Sequence, residues 1–241
     1  PPAVRPSAAR IINRRESSMA SFAMSARAAK VGTSFMQSIL IAPPAAEPVT
    51  LAEARAWLRV DTNDEDSAIA ALIAAGRMLV EAATRRALVT QGWRVTLDAW
   101  PATEADGGWT ILATRPSSTP LQLALPLAPL QSVSAIRVYD SAGQPQTVAA
   151  PTWRLIGAPE RARIVFSSAP LQPAARVAGI EIDVIAGYGD PPDTPAPLRH
   201  AILSLVSYWF DNRGDVSTTD TTNLPPRAAA LLAPFRRGRL A

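Results

Sequence analysis

The sequence predicts an α+β protein with a helical core and an inserted antiparallel β region. Three observations support this fold class. Apolar residues recur at helical spacing over residues 64–84, apolar and polar residues alternate from Gln91 onward, and helical spacing returns after residue 194. We therefore expect an N-terminal helical part over residues 37–90, a β region over residues 91–190, and a C-terminal core helix with a polar loop over residues 191–223.

The first predicted helix begins at Thr50. Thr50 and Glu53 have the spacing of a capping box, in which each side chain bonds to the backbone of the other residue. Apolar residues then recur at helical spacing to about Arg59. The acidic stretch 61–66 ends this helix and places negative charge at the N-terminus of the next one, where the helix dipole favours it.

The second predicted helix, over residues 64–84, has the strongest periodic signal in the chain. Its apolar face contains Ile69, Leu72, Ile73, Gly76, Leu79, Val80 and Ala83. Alanines line its other sides, so a neighbouring element can approach closely on more than one of them. The candidate residues for an interface between subunits are Ala71, Ala74, Ala75 and Gly76 in this helix, and Trp209 and Phe210 in the C-terminal helix.

The β region is predicted from a change of period. Residues 93–97 alternate between apolar and polar side chains, which is typical of a half-buried strand. Gly and Pro separate further short runs at 121–125, 133–139, 146–149, 153–156, 163–166 and 180–185. Residues 140–143 have the composition of a hairpin turn.

The C-terminal helix is predicted to have Thr194 as its cap, Pro195 in its first turn, and an end near Asn212. This helix is apolar on most sides, so it must be covered by its own fold or by partner subunits. Residues 224–241 follow as a tail with apolar and cationic side chains: Leu231, Leu232, Phe235, Arg236, Arg237 and Arg239. The tail is either a frayed terminus or a docking peptide, with apolar anchors giving affinity and arginines giving register.

The basic charge lies mainly at the N-terminus. The chain has a net charge of +4, but residues 1–35 hold six basic side chains and one acidic one, while residues 36–241 hold 18 basic and 19 acidic ones. We expect residues 1–36 to be a disordered extension, with Met36 as a candidate natural start. A near-neutral body disfavours a basic DNA-binding face, and a nucleic-acid-binding protein that uses its basic termini is kept as the alternative.

The inventory of chemically reactive residues is small, and we expect neither enzymatic activity nor a metal or cofactor. The 241-residue chain has no cysteine, and His200 is its one histidine. Ser204 and Asp211 share the polar stripe of His200, but Asp211 lies about three helical turns away, so the three cannot form a catalytic triad. The glycines at 187 and 189 lack the remainder of a phosphate-binding motif. Proline or charged residues interrupt every apolar run before the roughly 18 residues of a membrane span.

Several segments, in this order along the chain, resemble the head–tail connector (adaptor) proteins of long-tailed bacteriophages and gene transfer agents. They are residues 48–61, 64–66 and the alanine-rich helix to 84, then 91–93, 185–189, 197–213 and 230–236. The resemblance covers roughly residues 37–239.

The resemblance implies a structural subunit of the particle neck that assembles in the bacterial cytoplasm. It implies a ring, expected to contain twelve copies, with a C-terminal segment that reaches into the portal protein. A stopper or tail-terminator protein would meet the opposite face, and double-stranded DNA would pass through the bore without specific binding.

Overall fold

The computed structural model describes residues 36–100, 104–105, 109–110, 121–175, 177–213 and 224–236. The predicted disorder of residues 1–35 lies outside these ranges. The α+β fold class is confirmed. The helices are α1 (Leu51–Leu58), α2 (Asp66–Thr84), α3 (Ala196–Asp211) and α4 (Pro226–Leu232). The strands are β1 (Met36–Ala42), β2 (Gln91–Leu97), β3 (Glu104–Ala105), β4 (Trp109–Thr110), β5 (Gln122–Ala124), β6 (Leu130–Tyr139), β7 (Pro145–Thr147), β8 (Trp153–Ile156), β9 (Arg163–Phe166) and β10 (Ile180–Ala186).

The strands form a five-stranded antiparallel sheet in the order β1-β2-β10-β6-β7, and a three-stranded sheet in the order β5-β9-β8. The short strands β3 and β4 pair with each other. Side chains of the two larger sheets share one hydrophobic cluster, which includes Val95, Leu97, Leu123, Ile136, Ile164, Phe166, Ile180 and Ile182. This cluster is the first of two cores.

The sheet begins earlier in the chain than the sequence predicts. Residues 37–90 were expected to be a helical part, but Met36–Ala42 form β1 and pair antiparallel with β2. A short apolar run of this kind has no diagnostic period. Its strand conformation depends on pairing with residues that lie 50 or more positions away, which local patterns do not reveal.

The helices enclose a second core. Its fully buried members include Ala54, Ile69, Ile73, Val80, Leu198, Ile202, Leu205, Val206, Ala228 and Leu232. Gly76 of α2 lies directly against α3, where a Cβ atom on residue 76 would be 3.2 Å from Cγ2 of Ile202. Gly76 is therefore part of the chain's own helix–helix contact, and this removes it from the candidates for a contact between subunits.

The predicted capping box is present, and the predicted cap of the C-terminal helix is wrong. The amide of Glu53 donates to Oγ1 of Thr50 over 3.2 Å, and the amide of Thr50 donates to Oε2 of Glu53 over 2.8 Å. In contrast, Pro195 is the residue that precedes α3. The buried Thr194 hydroxyl instead donates to the carbonyl of Leu88, 3.1 Å away, because this side chain turns toward the joint between the helices and the sheet.

The glycine-rich stretch after β10 is a tight turn, as its lack of phosphate-binding features suggested. Gly187 has a φ of 134°, and a Cβ atom there would lie 2.4 Å from the carbonyl oxygen of Val89. A side chain at this position would thus collide with backbone. The turn brings the end of β10 against the segment that leads from α2 into β2.

Among the described residues, α2 is the one helix long and apolar enough to cross a membrane, with a mean hydropathy of 1.4. The sequence prediction required an uninterrupted uncharged run, and Arg77 and Glu81 interrupt α2. Ile69, Ile73 and Val80 pack into the helical core. This is the pattern of a core helix of a folded domain.

We expect Gly76→Leu to lower the free energy of unfolding by about 1–3 kcal/mol, because the new side chain must displace Ile202. Urea unfolding of the purified chain measures the change. Ala75→Leu is the matched control, since Ala75 is exposed on the same helix and should change stability by less than about 0.5 kcal/mol. Equal stability of the Gly76 variant and its parent would contradict the close α2–α3 packing.

Candidate assembly surfaces

The outer face of α2 is exposed, apolar and uncharged. Its exposed positions before Thr84 are Ser67, Ala68, Ala70, Ala71, Ala75, Met78 and Ala82. Met78 is 62% exposed and stands beside Ala71 and Ala75 on the same side of the helix. Ala74 is half-buried at the margin of this face. A helix face without charge over four turns is unusual on a surface that stays in water, and it suits burial against another protein.

The charged residues within α2 point toward the body of the chain. Nε of Arg77 lies 2.8 Å from Oε2 of Glu47, and its Nη1 lies 2.8 Å from Oε2 of Glu81. The other carboxylate oxygen of Glu81 accepts hydrogen bonds from the amide of Leu88 and from Nε2 of Gln91, over 3.0 Å and 2.7 Å. Both charges are thus paired on the inner side, and Asp66, the first residue of α2, forms an ion pair with Arg55 over 3.4 Å, which leaves the outer face neutral.

The two aromatic candidates on α3 are already engaged within the chain. Trp209 and Phe210 are half-buried against the helical core. The Arg213 guanidinium lies 4.0 Å from the centre of the Phe210 ring and forms an ion pair with Glu65 at 2.9 Å. Tyr208, which is 49% exposed, is the more accessible aromatic side chain of this helix.

The C-terminal segment is folded onto the helices rather than extended. Leu232 is fully buried, and Leu231 and Phe235 pack partly buried against the same core. Arg236 is exposed, while Arg237 and Arg239 lie outside the described residues. In this structure Leu232 fills a groove of its own chain, so it does not face a partner as the predicted docking anchor would, and the docking role of the segment stays a prediction.

Arg86 holds the end of this segment in place. Its Nε donates to the carbonyl of Phe235 and its Nη1 to the hydroxyl of Tyr188, each over 3.0 Å. Burial raises the pKa of Tyr188, although Arg86 beside it acts in the opposite direction. The tyrosine therefore stays neutral and serves as an acceptor for Arg86.

A charge-balanced cluster covers the side of the five-stranded sheet that faces away from the first core. Oδ1 of Asp183 on β10 lies 2.7 Å from Nε of Arg94, and its Oδ2 lies 2.6 Å from Nη1 of Arg137. Glu181 lies 3.6 Å and 3.7 Å from the same two arginines. The Arg94 guanidinium, with Arg137 beside it, holds the pKa of Asp183 below its usual range against the opposing effect of burial.

The polar stripe of α3 does not converge on a reactive site. The His200 ring packs near Trp57, with centroids 5.8 Å apart, and Oγ of Ser207 lies 3.5 Å from the carboxylate of Asp211. Within the part of the chain that the structure describes, no group of three His, Asp or Glu residues is placed to hold a metal ion.

The known proteins to which this chain is similar are solved structures. No protein-family model and no curated protein sequence matches the chain. Among solved structures, a similar chain occurs in the neck of an empty gene transfer agent particle computed with C6 symmetry, with 28% identity and a TM-score of 0.65 over 86% of this chain and 97% of that one. Similar chains occur in the virion of a native gene transfer agent particle (28% identity, TM-score 0.63, 85% and 97% coverage) and in the neck of a native particle computed with C12 symmetry (28%, 0.59, 86% and 97%).

This likeness supports a structural protein located in the neck of a phage or gene transfer agent particle. The symmetries of the two neck structures support assembly as a ring.

We expect Asp183→Asn to lower the free energy of unfolding by about 1–3 kcal/mol at pH 7, because two arginines lose their charged acceptor. A carboxylate with a depressed pKa in the folded state stabilises the fold above its unfolded pKa, and this contribution is lost as the pH falls through the folded value. The difference between parent and variant should therefore shrink at acidic pH. Urea unfolding at pH 7, 4 and 3 tests this, with the exposed Asp61→Asn as control; a difference that is constant across this range would contradict it.

We expect Arg86→Ala to loosen the C-terminal segment, because Phe235 and Tyr188 lose a shared donor. Trypsin cleavage after Arg227 should become roughly tenfold faster, which corresponds to the loss of about 1.4 kcal/mol from one charged hydrogen bond. Limited proteolysis followed by mass spectrometry measures the rate. Arg161→Ala, at an exposed site in the β region, should leave it unchanged.

Proposed function

We propose that the chain is a non-enzymatic head–tail adaptor, which forms a ring between the portal and a stopper or tail-terminator protein of a phage or gene transfer agent. The main support is the likeness to chains of gene transfer agent necks, which extends over 97% of those chains at 28% identity. A match of that extent leaves little of the neck chain without a counterpart here.

The ring is assembled through the outer face of α2. In a cyclic ring, each copy presents one surface to the next copy and a different surface to the previous one, and the same contact repeats until the ring closes. Ala71, Ala75 and Met78 form the centre of one such surface, with Ala74 at its margin. Half-buried Trp209 and Phe210 contribute with the part of their rings that the core leaves uncovered. Twelve copies agree with a neck computed with C12 symmetry.

The cationic end of the C-terminal segment contacts the portal. Leu232 stays in the helical core, since pulling it out would cost about 1.5–3 kcal/mol of hydrophobic burial. Leu231 and Phe235 pack against the helical core and hold the segment in place. The exposed Arg236 and the arginines at 237 and 239 then set its register on the portal.

The near-neutral body suits a conduit for DNA. Residues 36–241 hold 18 basic and 19 acidic side chains. Since DNA affinity grows with the number of phosphates that a protein neutralises, a balanced ring does not retain the duplex during passage. The alternative, nucleic-acid binding through basic termini, relies on residues 1–35 and 234–241. It predicts salt-sensitive duplex binding that is lost when those residues are deleted.

Cryo-electron microscopy and native mass spectrometry of the chain, with and without the portal of the same particle, test the adaptor role. We expect a closed ring of twelve copies bound to the portal. A chain that remains monomeric at high concentration in the presence of portal would contradict the role.

We expect Ala75→Leu to reduce ring formation at least tenfold, because a large side chain holds apart two surfaces that meet through small residues. Monomer stability should be unchanged, since Ala75 makes no core contact. Sedimentation velocity measures the fraction of rings. Ala142→Leu, the same change at an exposed turn, is the control, and full-sized rings from the Ala75 variant would place the subunit contact elsewhere.

A further inference from the structure

The outer side of β1 is an open sheet edge. β2 occupies its inner side, from Met36 opposite Leu97 to Ala42 opposite Gly92, and no other strand of the described residues pairs with it. Alternate residues of an edge strand direct their N–H and C=O groups away from the sheet. These groups form a template to which a further strand can bind.

The side chains of β1 leave this edge unprotected. Ile39, Leu40 and Ile41 are 46%, 40% and 48% exposed, so aliphatic surface is open on both faces of the strand. The strand has no charged residue, and proline appears only after it, at residues 43 and 44. A register shift between Leu40 and Ala42 leaves Met36–Leu40 as the regular stretch.

The opposite edge of the same sheet is protected against the addition of a further strand. β7 is three residues long and begins with Pro145, which has no N–H to donate. Short strands and proline block the addition of a further strand, so the two edges of one sheet differ in their capacity to bind.

We propose that β1 binds an extended, uncharged, aliphatic-rich segment of the stopper or tail-terminator protein on the tail side, because the portal contact is assigned to the C-terminal segment, and that this segment adds as a sixth strand. This inference rests on the proposed adaptor function. Only an extended backbone can satisfy the free N–H and C=O groups, and a charged segment would lose hydration against the three aliphatic side chains. Five to seven residues of the partner, or about 17–23 Å of strand, match the length of β1.

A second copy of this chain fits the edge less well. The other edge strands that the structure describes are only two to four residues long; they are β3, β4, β5, β7 and β8. Pairing of β1 with another β1 has two-fold symmetry, so it joins copies in twos and cannot repeat around a cyclic ring. Among the described residues a second copy thus offers no matching strand, and a segment of a different protein fits the edge better.

Hydrogen–deuterium exchange of the full chain tests the proposal in three states: free, as the ring alone, and in a neck assembled from the purified portal, this chain and the tail-side neck proteins of the same particle. We expect amides of residues 37–41 to exchange at least tenfold more slowly only in the assembled neck. Unchanged exchange there overturns the proposal, and so does protection that already appears in the ring alone, because a second copy would then be the occupant. Failure of the parent chain to enter the neck at all would contradict the adaptor function itself.

The double variant Ile39→Lys/Ile41→Lys supplies an independent readout. Both side chains are exposed, so the monomer should fold and form rings, while recruitment of the tail-side neck proteins should fall at least tenfold. The matched control is Gln146→Lys/Thr147→Lys on β7, which should recruit as the parent does. Equal recruitment by the β1 variant overturns the proposal. If that variant does not fold, the exchange measurement on the parent chain decides whether β1 binds a partner strand.

Discussion

The close contact of α2 with α3 determines which surfaces of this protein are open. At Gly76 the two helices approach so closely that a Cβ atom on residue 76 would lie 3.2 Å from Cγ2 of Ile202 and would require that side chain to shift. This contact directs the apolar face of α2 inward and places its alanine face outward. The helix α4 then packs on α3 through Leu232, so the position of the exposed Arg236 also follows from it. A wider separation of α2 and α3 would change both the outer face of α2 and the groove that holds Leu232.

The ion pairs of α2 act together with this packing. Arg77 and Glu81 are satisfied by Glu47, Leu88 and Gln91, all on the inner side of the helix. A buried ion pair adds little net stability, because desolvation offsets much of the attraction. Its effect here is to keep charge away from the outer face. That face is consequently compatible with close contact between copies, whereas the Asp183 cluster gives one side of the sheet a polar, charge-balanced surface.

The sequence predicted what depends on local order and missed what depends on distant contacts. The predicted ends of α1, α2 and α3 lie within about two residues of those observed, because each helix has a sustained apolar period.

β1 was missed because its pairing with β2 is non-local. Thr194 was misassigned because a threonine before a helix has the same appearance whether its hydroxyl caps that helix or donates to Leu88. Of the candidate interface residues, Ala71 and Ala75 are exposed and Gly76 is not; the helical period already placed Gly76 on the apolar face, apart from the alanines, and the choice of interface candidates by residue size alone disregarded that signal. The exposed Met78 could have been found from its position on the alanine face.

The short path from α2 to β1 has a mechanical consequence. β2 follows α2 after only six residues, and residues 88–90 are held on the other side by Thr194, Tyr188 and Gly189. β1 is bonded along its length to β2. A pulling force on β1 is therefore transmitted to α2 through the hydrogen bonds between β1 and β2 and through the connecting residues 85–90. In a ring of such subunits that touch through α2, a pull on any single strand would be shared with the neighbouring copies.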